Sequence, residues 1–183
     1  MGSDLVVRAR DGDRDAFAAL IDSLSDRCFA TAFRILRDTG LAEDAVQNAL
    51  ITAWRQFPTL REPDRFEAWL RRLLVHACYA EARRRQRWSA SIRLLPVDGS
   101  AEPDRFNSVV DRDAIERAFR DLSVEQRAVF VLHHHMGLPL VEIAETLGIP
   151  AGTARSRLHT ATRMLRAAIE AAAAPVASKG WMA

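Results

Sequence analysis

The chain has 183 residues, 49% of them hydrophobic, and a formal net charge of +2. That length suits one ordinary domain or two small ones. No apolar run approaches the roughly 18 residues of a membrane-spanning helix, and the N-terminus lacks the pattern of a secretory signal. Cys28 and Cys78 stand apart, without the spacing of a zinc site or a disulfide framework. These features favour a globular cytoplasmic protein without membrane insertion or a cofactor.

The N-terminal half has apolar residues at helical spacing. The pattern has a first helical stripe over residues 17–24 and a second over residues 29–36, and it predicts longer helices over residues 41–57 and 66–87, all within one helical domain. Two prolines and mixed charge across residues 57–65 predict a loop between the last two helices. The helix over residues 66–87 overlaps an arginine-rich segment, because residues 71–93 contain seven arginines and one carboxylate.

A different composition follows between residues 89 and 111. Serine, proline, glycine and acidic residues replace the helical pattern there and predict a flexible linker. Residues 98–126 contain eight carboxylates and four arginines, so an acidic segment separates two basic ones. Two basic patches divided in this way indicate two separate contacts with a polyanion.

Helices are predicted again from Asp113, and Ser123 with Gln126 forms the sequence of a capping box. No strand-like alternation is found, and the tail from Ala171 looks frayed. The predicted fold is therefore all-α, with two small helical domains joined by a flexible linker. The expected limits are 1–90 for the first domain, 91–112 for the linker, 113–171 for the second domain and 172–183 for a flexible tail.

Residues 138–163 predict a helix-turn-helix motif. One helical face is apolar in the first helix, and Gly148 supplies the left-handed residue that ends it. Pro150 suits the first turn of the second helix, whose inward stripe is Ala154, Leu158, Ala161 and Leu165. The motif indicates a DNA-reading second helix.

The outward face of the second helix bears hydroxyl, imidazole and guanidinium groups, and residues 150–166 contain no carboxylate. Such a face is typical of contact with phosphates and base edges. A charged helix face that only meets water is the alternative interpretation. The candidate DNA-binding residues are Thr153, Arg155, Ser156, Arg157, His159, Thr160 and Arg163.

Both halves together resemble bacterial sigma factors of the extracytoplasmic-function (ECF) group. In the C-terminal half the resemblance rests on residues 122–130 and 142–159, and in the N-terminal half on residues 42–55, 66–73 and the arginine cluster. It extends over nearly everything from Leu5 to Ile169. It implies an alternative sigma factor, a non-catalytic subunit that directs core RNA polymerase to promoter DNA.

The resemblance implies that the C-terminal domain reads the −35 element and contacts the polymerase flap. It implies that helix 41–57 docks on the clamp helices of the largest catalytic polymerase subunit. The candidate polymerase-binding residues are Asp44, Gln47, Asn48, Trp54 and Arg55. A solvated face for Asp44 and Gln47, and core packing for Trp54, are the alternatives.

The loop after residue 57 resembles the one that captures a flipped base of the −10 element, and the helix after it would follow a single strand. Trp69 is expected in the core instead. The candidate −10 residues are Leu60, Arg61, Asp64, Arg65, Phe66, Arg71, Arg72, His76, Tyr79, Arg83 and Arg84.

Some positions depart from the family pattern. The family commonly has Asn at the position of His76 and a capping Ser at that of Pro139, and often arginine at those of Thr160 and Thr162. The −10 sequence preference is therefore expected to differ from that of relatives. The first helix of the motif is expected to lack its side-chain cap, and the salt dependence of DNA binding is expected to be shallower than in relatives. His133, His134 and His135 predict no metal site, because successive helical residues point about 100° apart.

The resemblance also implies an anti-sigma partner. Two other interpretations remain open at this point. One is a stand-alone DNA-binding regulator that uses only the C-terminal motif, and the other is a diverged sigma relative that does not initiate transcription.

Overall fold

The computed structural model describes residues 2–93 and 110–173, and in these ranges it is helical, without strands. This confirms the predicted all-α class. None of the helices in the described ranges is long and apolar enough to cross a membrane. The helices are α1 (Gly2–Arg10), α2 (Arg14–Leu36), α3 (Thr39–Gln56), α4 (Phe66–Arg93), α5 (Val110–Asp121), α6 (Val124–Phe130), α7 (Leu140–Leu147) and α8 (Ala151–Ala173).

The N-terminal domain is formed by α1 to α4. The sequence pattern did not predict α1, which packs on α2 and on the turns that follow α3. Helix α2 begins after Asp13, whose carboxylate accepts hydrogen bonds from the backbone N–H groups of Asp15 and Ala16 at 3.0 Å. It ends at Arg37, a non-glycine residue in the left-handed region with φ 57°.

A cluster of aromatic rings supports the segment between α3 and α4. Phe57 is 1% exposed, and its ring centroid lies 5.3 Å from those of Phe17 and Phe66 and 5.7 Å from that of Trp69. Trp69, expected in the core, is half-buried and packs against it. The predicted loop contains two short 3₁₀ turns, Phe57–Thr59 and Pro63–Arg65, held against this cluster.

Two helix ends differ from the prediction. Helix α4 continues to Arg93 and α5 begins at Val110, so both helices extend into the predicted linker. No proline or glycine occurs between residues 88 and 93 to end α4. The rest of the predicted linker, residues 94–109, lies outside the described residues, as does the predicted tail from residue 174.

The C-terminal domain contains the predicted helix-turn-helix, α7 and α8. The capping box of Ser123 and Gln126 is present at the start of α6, and one π-helical turn, Val131–His135, follows that helix. Pro139 provides no side-chain cap at the start of α7, as expected. Gly148 ends α7 in the left-handed region, with a φ of 64°. Helix α8 begins one residue after Pro150.

The two domains pack against each other. Helices α6 and α7 contact α4, and α6 also contacts α2. Arg127 of α6 donates from Nε to the backbone carbonyl of Ile35, 2.6 Å away, near the end of α2. A guanidinium is favourable there, because the last carbonyls of a helix lack intrahelical partners.

We predict that Phe57→Ala lowers the free energy of unfolding by about 3–5 kcal/mol, since it leaves a cavity at the centre of the aromatic cluster. Urea unfolding followed by circular dichroism measures the change. The control is Trp88→Ala, because Trp88 is 69% exposed and its removal should change stability by less than about 0.5 kcal/mol. Equal losses in both variants would contradict a supporting role for the cluster.

Candidate nucleic-acid and polymerase interfaces

Helix α8 presents its predicted reading face to solvent. Arg155, Ser156, His159 and Arg163 are exposed, while Thr153, Arg157 and Thr160 are half-buried. The opposite side of the helix is anchored, because Ala154 and Ala161 are fully buried and Leu165 is 7% exposed. This spacing holds the polar face outward, and it places guanidinium, hydroxyl and imidazole groups where they could reach a DNA groove.

The loop before α4 forms one wall of a cleft of about 750 Å³ between the domains. Arg61, Arg65 and Arg72 line that wall, and Glu142 and Glu145 of α7 line the other. Asp64 is exposed on the same loop. The loop side of the cleft therefore carries three arginines together with the carboxylates of Glu62 and Asp64, while the α7 side carries carboxylates alone.

Two candidate −10 residues are placed in the core instead of on the surface. Leu60 is 7% exposed and Phe66 is 4% exposed. Both belong to the hydrophobic core of the N-terminal domain. The side chains of Leu60 and Phe66 therefore anchor the loop in the core, and neither is exposed for contact with a ligand.

The predicted strand-following face of α4 is only partly accessible. Arg72, His76 and Arg83 are exposed on one side of the helix. The Arg71 side chain is 12% exposed, and its NH1 donates to Oε1 of Glu142 at 2.7 Å. Tyr79 is 7% exposed. Arg71 and Tyr79 are thus covered where the C-terminal domain packs on α4.

An ionic network joins α3 to α4. Arg84 lies 2.6 Å from Oδ2 of Asp44 and 2.7 Å from Oε2 of Glu81. Glu81, only 5% exposed, also accepts a hydrogen bond from Nδ2 of Asn48 at 2.9 Å. Arg84, predicted for DNA, therefore pairs with Asp44, predicted for polymerase. The sequence analysis missed Glu81, although it is the lone carboxylate in the arginine-rich segment 71–93.

The outer face of α3 mixes polar and apolar side chains. Gln47, Asn48 and Arg55 are exposed. Trp54 is 38% exposed, and its ring also packs edge-on against Phe17, with centroids 4.8 Å apart. Ile51, 43% exposed, was missed in the sequence. It lies one helical turn after Gln47, a spacing that places both residues on the same face.

His76 lies between the cations of the α4 face. Partial burial, together with the positive charges of Arg72 and Arg83, lowers the pKa of His76 below its ordinary value of 6.5. The ring is therefore neutral near pH 7. A neutral imidazole offers one donor and one acceptor.

Comparison with known proteins agrees with this architecture. Residues 20–88 match the family Sigma-70 region 2, and residues 112–165 match the family Sigma-70 region 4. The chain is 35% identical over 167 residues to the ECF RNA polymerase sigma factor SigL of Mycobacterium tuberculosis, covering 87% of this chain and 94% of that protein. The chain belongs to the sigma-70 family, in its ECF group.

A second curated relative supports the same family membership. The ECF sigma factor SigW of Bacillus subtilis is 27% identical over 173 residues, covering 88% of this chain and 92% of SigW. Two solved structures share the fold. One is the sigma factor RpoE in complex with the anti-sigma factor NepR from Bartonella quintana, with a TM-score of 0.66 and 24% identity over 84% of this chain and 96% of that one. The other is CnrH in complex with the cytosolic domain of CnrY, with a TM-score of 0.64 and 22% identity over 93% of this chain and 97% of that one.

We predict that the imidazole of His76 in this ECF factor titrates below 6.5, because neighbouring cations and partial burial disfavour its charged form. Ring-selective NMR across a pH series measures the midpoint. In a variant with Arg72→Gln and Arg83→Gln the midpoint should rise, since both repelling charges are removed. A wild-type midpoint at or above 6.5 would contradict the assigned environment.

Proposed function

We propose that this alternative sigma factor binds core RNA polymerase and opens its promoters with the loop 60–65 and the exposed face of α4, while α8 reads the −35 element. The main support for the proposal is that one chain has two basic surfaces. One is a loop beside an arginine-bearing helix, and the other is the exposed face of α8, where residues 151–166 include no carboxylate. A regulator that used only its helix-turn-helix would not need the first surface.

At the −10 element, the exposed residues Arg61, Arg65, Arg72, His76 and Arg83 are the proposed contacts. The loop would hold a base taken out of the stack, and the guanidinium groups would follow the strand backbone. Leu60 and Phe66 are proposed to shape the loop from below. Arg71 and Tyr79 are proposed to contact the strand after the domains separate.

At the −35 element, Arg155 is the proposed base-reading residue. Its fork of N–H donors matches O6 and N7 of guanine. Ser156 and His159 would contact neighbouring bases or phosphates, and Arg157 and Arg163 would hold phosphates. Thr153 and Thr160 border this face and would contact the backbone.

For polymerase, the proposed docking surface is the outer face of α3. Gln47, Ile51, Trp54 and Arg55 would contact the clamp helices, and the C-terminal domain would contact the flap. Asp44 and Asn48 are held by Arg84 and Glu81, so their proposed role includes fixing α3 to the DNA-binding helix. The exposed Trp and Arg side chains fit this role, because these residue types are enriched at binding hot spots.

We propose that the first domain, residues 1–90, binds polymerase and the −10 element, and that the second domain, residues 113–171, binds the −35 element. An anti-sigma protein is a further proposed partner, since the sigma factor RpoE, which shares the fold, is described in complex with the anti-sigma factor NepR. The proposed place of action is the cytoplasm, where promoter DNA and polymerase are found. No catalytic role is proposed for the chain itself.

Run-off transcription with purified core polymerase tests the proposal. Adding the chain to core enzyme and a promoter-bearing template should produce a discrete transcript that core enzyme alone does not produce. Binding to duplex DNA without any transcript would instead favour a stand-alone regulator or a diverged relative.

We predict that Arg155→Ala weakens promoter binding by the holoenzyme by about 1–3 kcal/mol and relaxes the preference at one −35 position. Competition binding against templates altered at single −35 positions measures both effects. Arg166→Ala, three turns further along α8, is the charge-matched control and should leave the preference unchanged. Unchanged affinity and specificity in Arg155→Ala would contradict its role as the base reader.

A further inference from the structure

A second cleft between the domains is rich in arginine, and we call it the basic cleft. It has a volume of about 720 Å³. Arg37 and Arg85 line it from the first domain, and Arg120 and Arg127 line it from the second. None of these four arginines belongs to the proposed DNA or polymerase surfaces. Their grouping therefore has no explanation in the proposed function.

Charge distinguishes the basic cleft from the cleft beside the loop before α4. That other cleft, of about 750 Å³, is lined by three arginines and four carboxylates. The basic cleft is lined by four arginines and one carboxylate, that of Asp38, which pairs with Arg85. Glu116 pairs with Arg37 and Arg120, so four guanidinium groups share two carboxylates and two positive charges are in excess. Of two clefts of similar size, only the basic one attracts an anion.

Arg127 is fixed in the basic cleft by backbone carbonyls. It donates from Nε to the carbonyl of Ile35 at 2.6 Å. It also donates from NH1 to the carbonyls of Arg120 and Leu122, at 2.9 and 3.0 Å. None of these bonds uses NH2, whose donors remain for a ligand. Because the side chain is already ordered, binding through NH2 costs little conformational entropy.

Arg37 is fixed in a different way. Its guanidinium lies 5.3 Å from the ring centroid of Phe33 and 5.6 Å from that of Phe119, and it pairs with Glu116. Its Nε is buried and has no hydrogen-bond partner among the described residues. A buried donor without an acceptor is unfavourable. An oxygen atom of a ligand could provide the acceptor that this donor lacks.

The two fixed arginines also repel each other. Burial, together with the positive charge of Arg37, lowers the pKa of Arg127. An arginine nevertheless keeps its proton at neutral pH, so the repulsion is retained in the folded chain. A divalent anion between the two side chains would offset this repulsion. A phosphate group is well suited to the place, because its oxygens match the fork of guanidinium donors.

We propose that the basic cleft binds a phosphate dianion, either as inorganic phosphate or as the phosphate group of a small organic monoester. One phosphate group carries about 1.5–2 negative charges near pH 7, which matches the excess of two positive charges. The side chains of Arg85 and Arg120 are 56% and 65% exposed, so they are free to close on the phosphate from the two domains. Gln86, Ser89 and Ser123 line the same cleft and offer hydrogen bonds to the rest of a monoester.

A phosphate in the basic cleft contacts both domains at once. A ligand that binds only the folded chain stabilises it by mass action. The melting temperature of the chain should therefore rise with the concentration of the ligand. The packing of the two domains thereby becomes sensitive to the supply of a phosphorylated small molecule.

The test compares two double variants of the full chain. One combines Arg85→Gln with Arg120→Gln, and its control combines Arg87→Gln with Arg117→Gln. Arg87 and Arg117 are exposed on the same two helices but do not line the cleft, so both variants lose the same charge. Inorganic phosphate and adenosine monophosphate are titrated separately at constant ionic strength, and binding is followed by phosphorus NMR.

The wild type should bind at least one probe saturably. The cleft variant should bind it at least about tenfold more weakly, because charge-assisted hydrogen bonds from two arginines are lost, while the control should stay within about twofold of the wild type. Tighter binding of adenosine monophosphate would support the cleft and identify a monoester. Equal or weaker binding of adenosine monophosphate would support the cleft and identify inorganic phosphate.

Circular dichroism of both variants checks that the fold is kept. No saturable binding of either probe to the wild type would overturn the proposal. It would also be overturned if the cleft variant bound the probe no more weakly than the control did.

Discussion

The guanidinium of Arg71 joins the two domains, and the accessibility of the α4 face in this ECF sigma factor depends on its partner. In the structure its partner is Glu142, 2.7 Å away on the neighbouring domain. With that pair made, α7 lies along α4, the cleft beside the loop 60–65 acquires an acidic wall, and Tyr79 is buried. Because the pair is partly exposed on the Glu142 side, its contribution to stability is modest, so binding to a larger partner could replace it.

The two proposed promoter-binding surfaces consequently differ in exposure to solvent. The reading face of α8 is exposed, whereas the face of α4 is half covered. The network of Asp44, Asn48, Glu81 and Arg84 adds a link between the outer face of α3 and α4. A movement imposed on α3 would be transmitted to α4 through this network, since a buried carboxylate with two partners resists separation from them. The proposed docking surface and the proposed strand-binding surface are thus joined within the N-terminal domain.

Local sequence signals predicted much of the fold, and the family resemblance predicted the candidate sites. The capping box at Ser123 and the left-handed Gly148 are decided by a few neighbouring residues, and both are present. The burial of Leu60 and Phe66 was not predicted, because it depends on Phe57 and Trp69 meeting them in three dimensions. The pairs Arg71–Glu142 and Arg37–Glu116 join residues 71 and 79 positions apart. The residue pattern within one helix does not show which distant residue it will contact. A polar helix face has the same residue pattern whether it is exposed to water or packed against another domain.

The most direct measurement is the distance between the domains in solution, with and without core polymerase. Spin labels at Ala18→Cys on α2 and Ala167→Cys on α8, both exposed positions, would report it by pulsed dipolar spectroscopy. If α4 is covered in the unbound chain, the labels should give one narrow short-distance distribution, which shifts to longer distances when polymerase is added. A broad distribution in the unbound chain, or an unchanged narrow one in the complex, would contradict a packed arrangement of the two domains that polymerase opens.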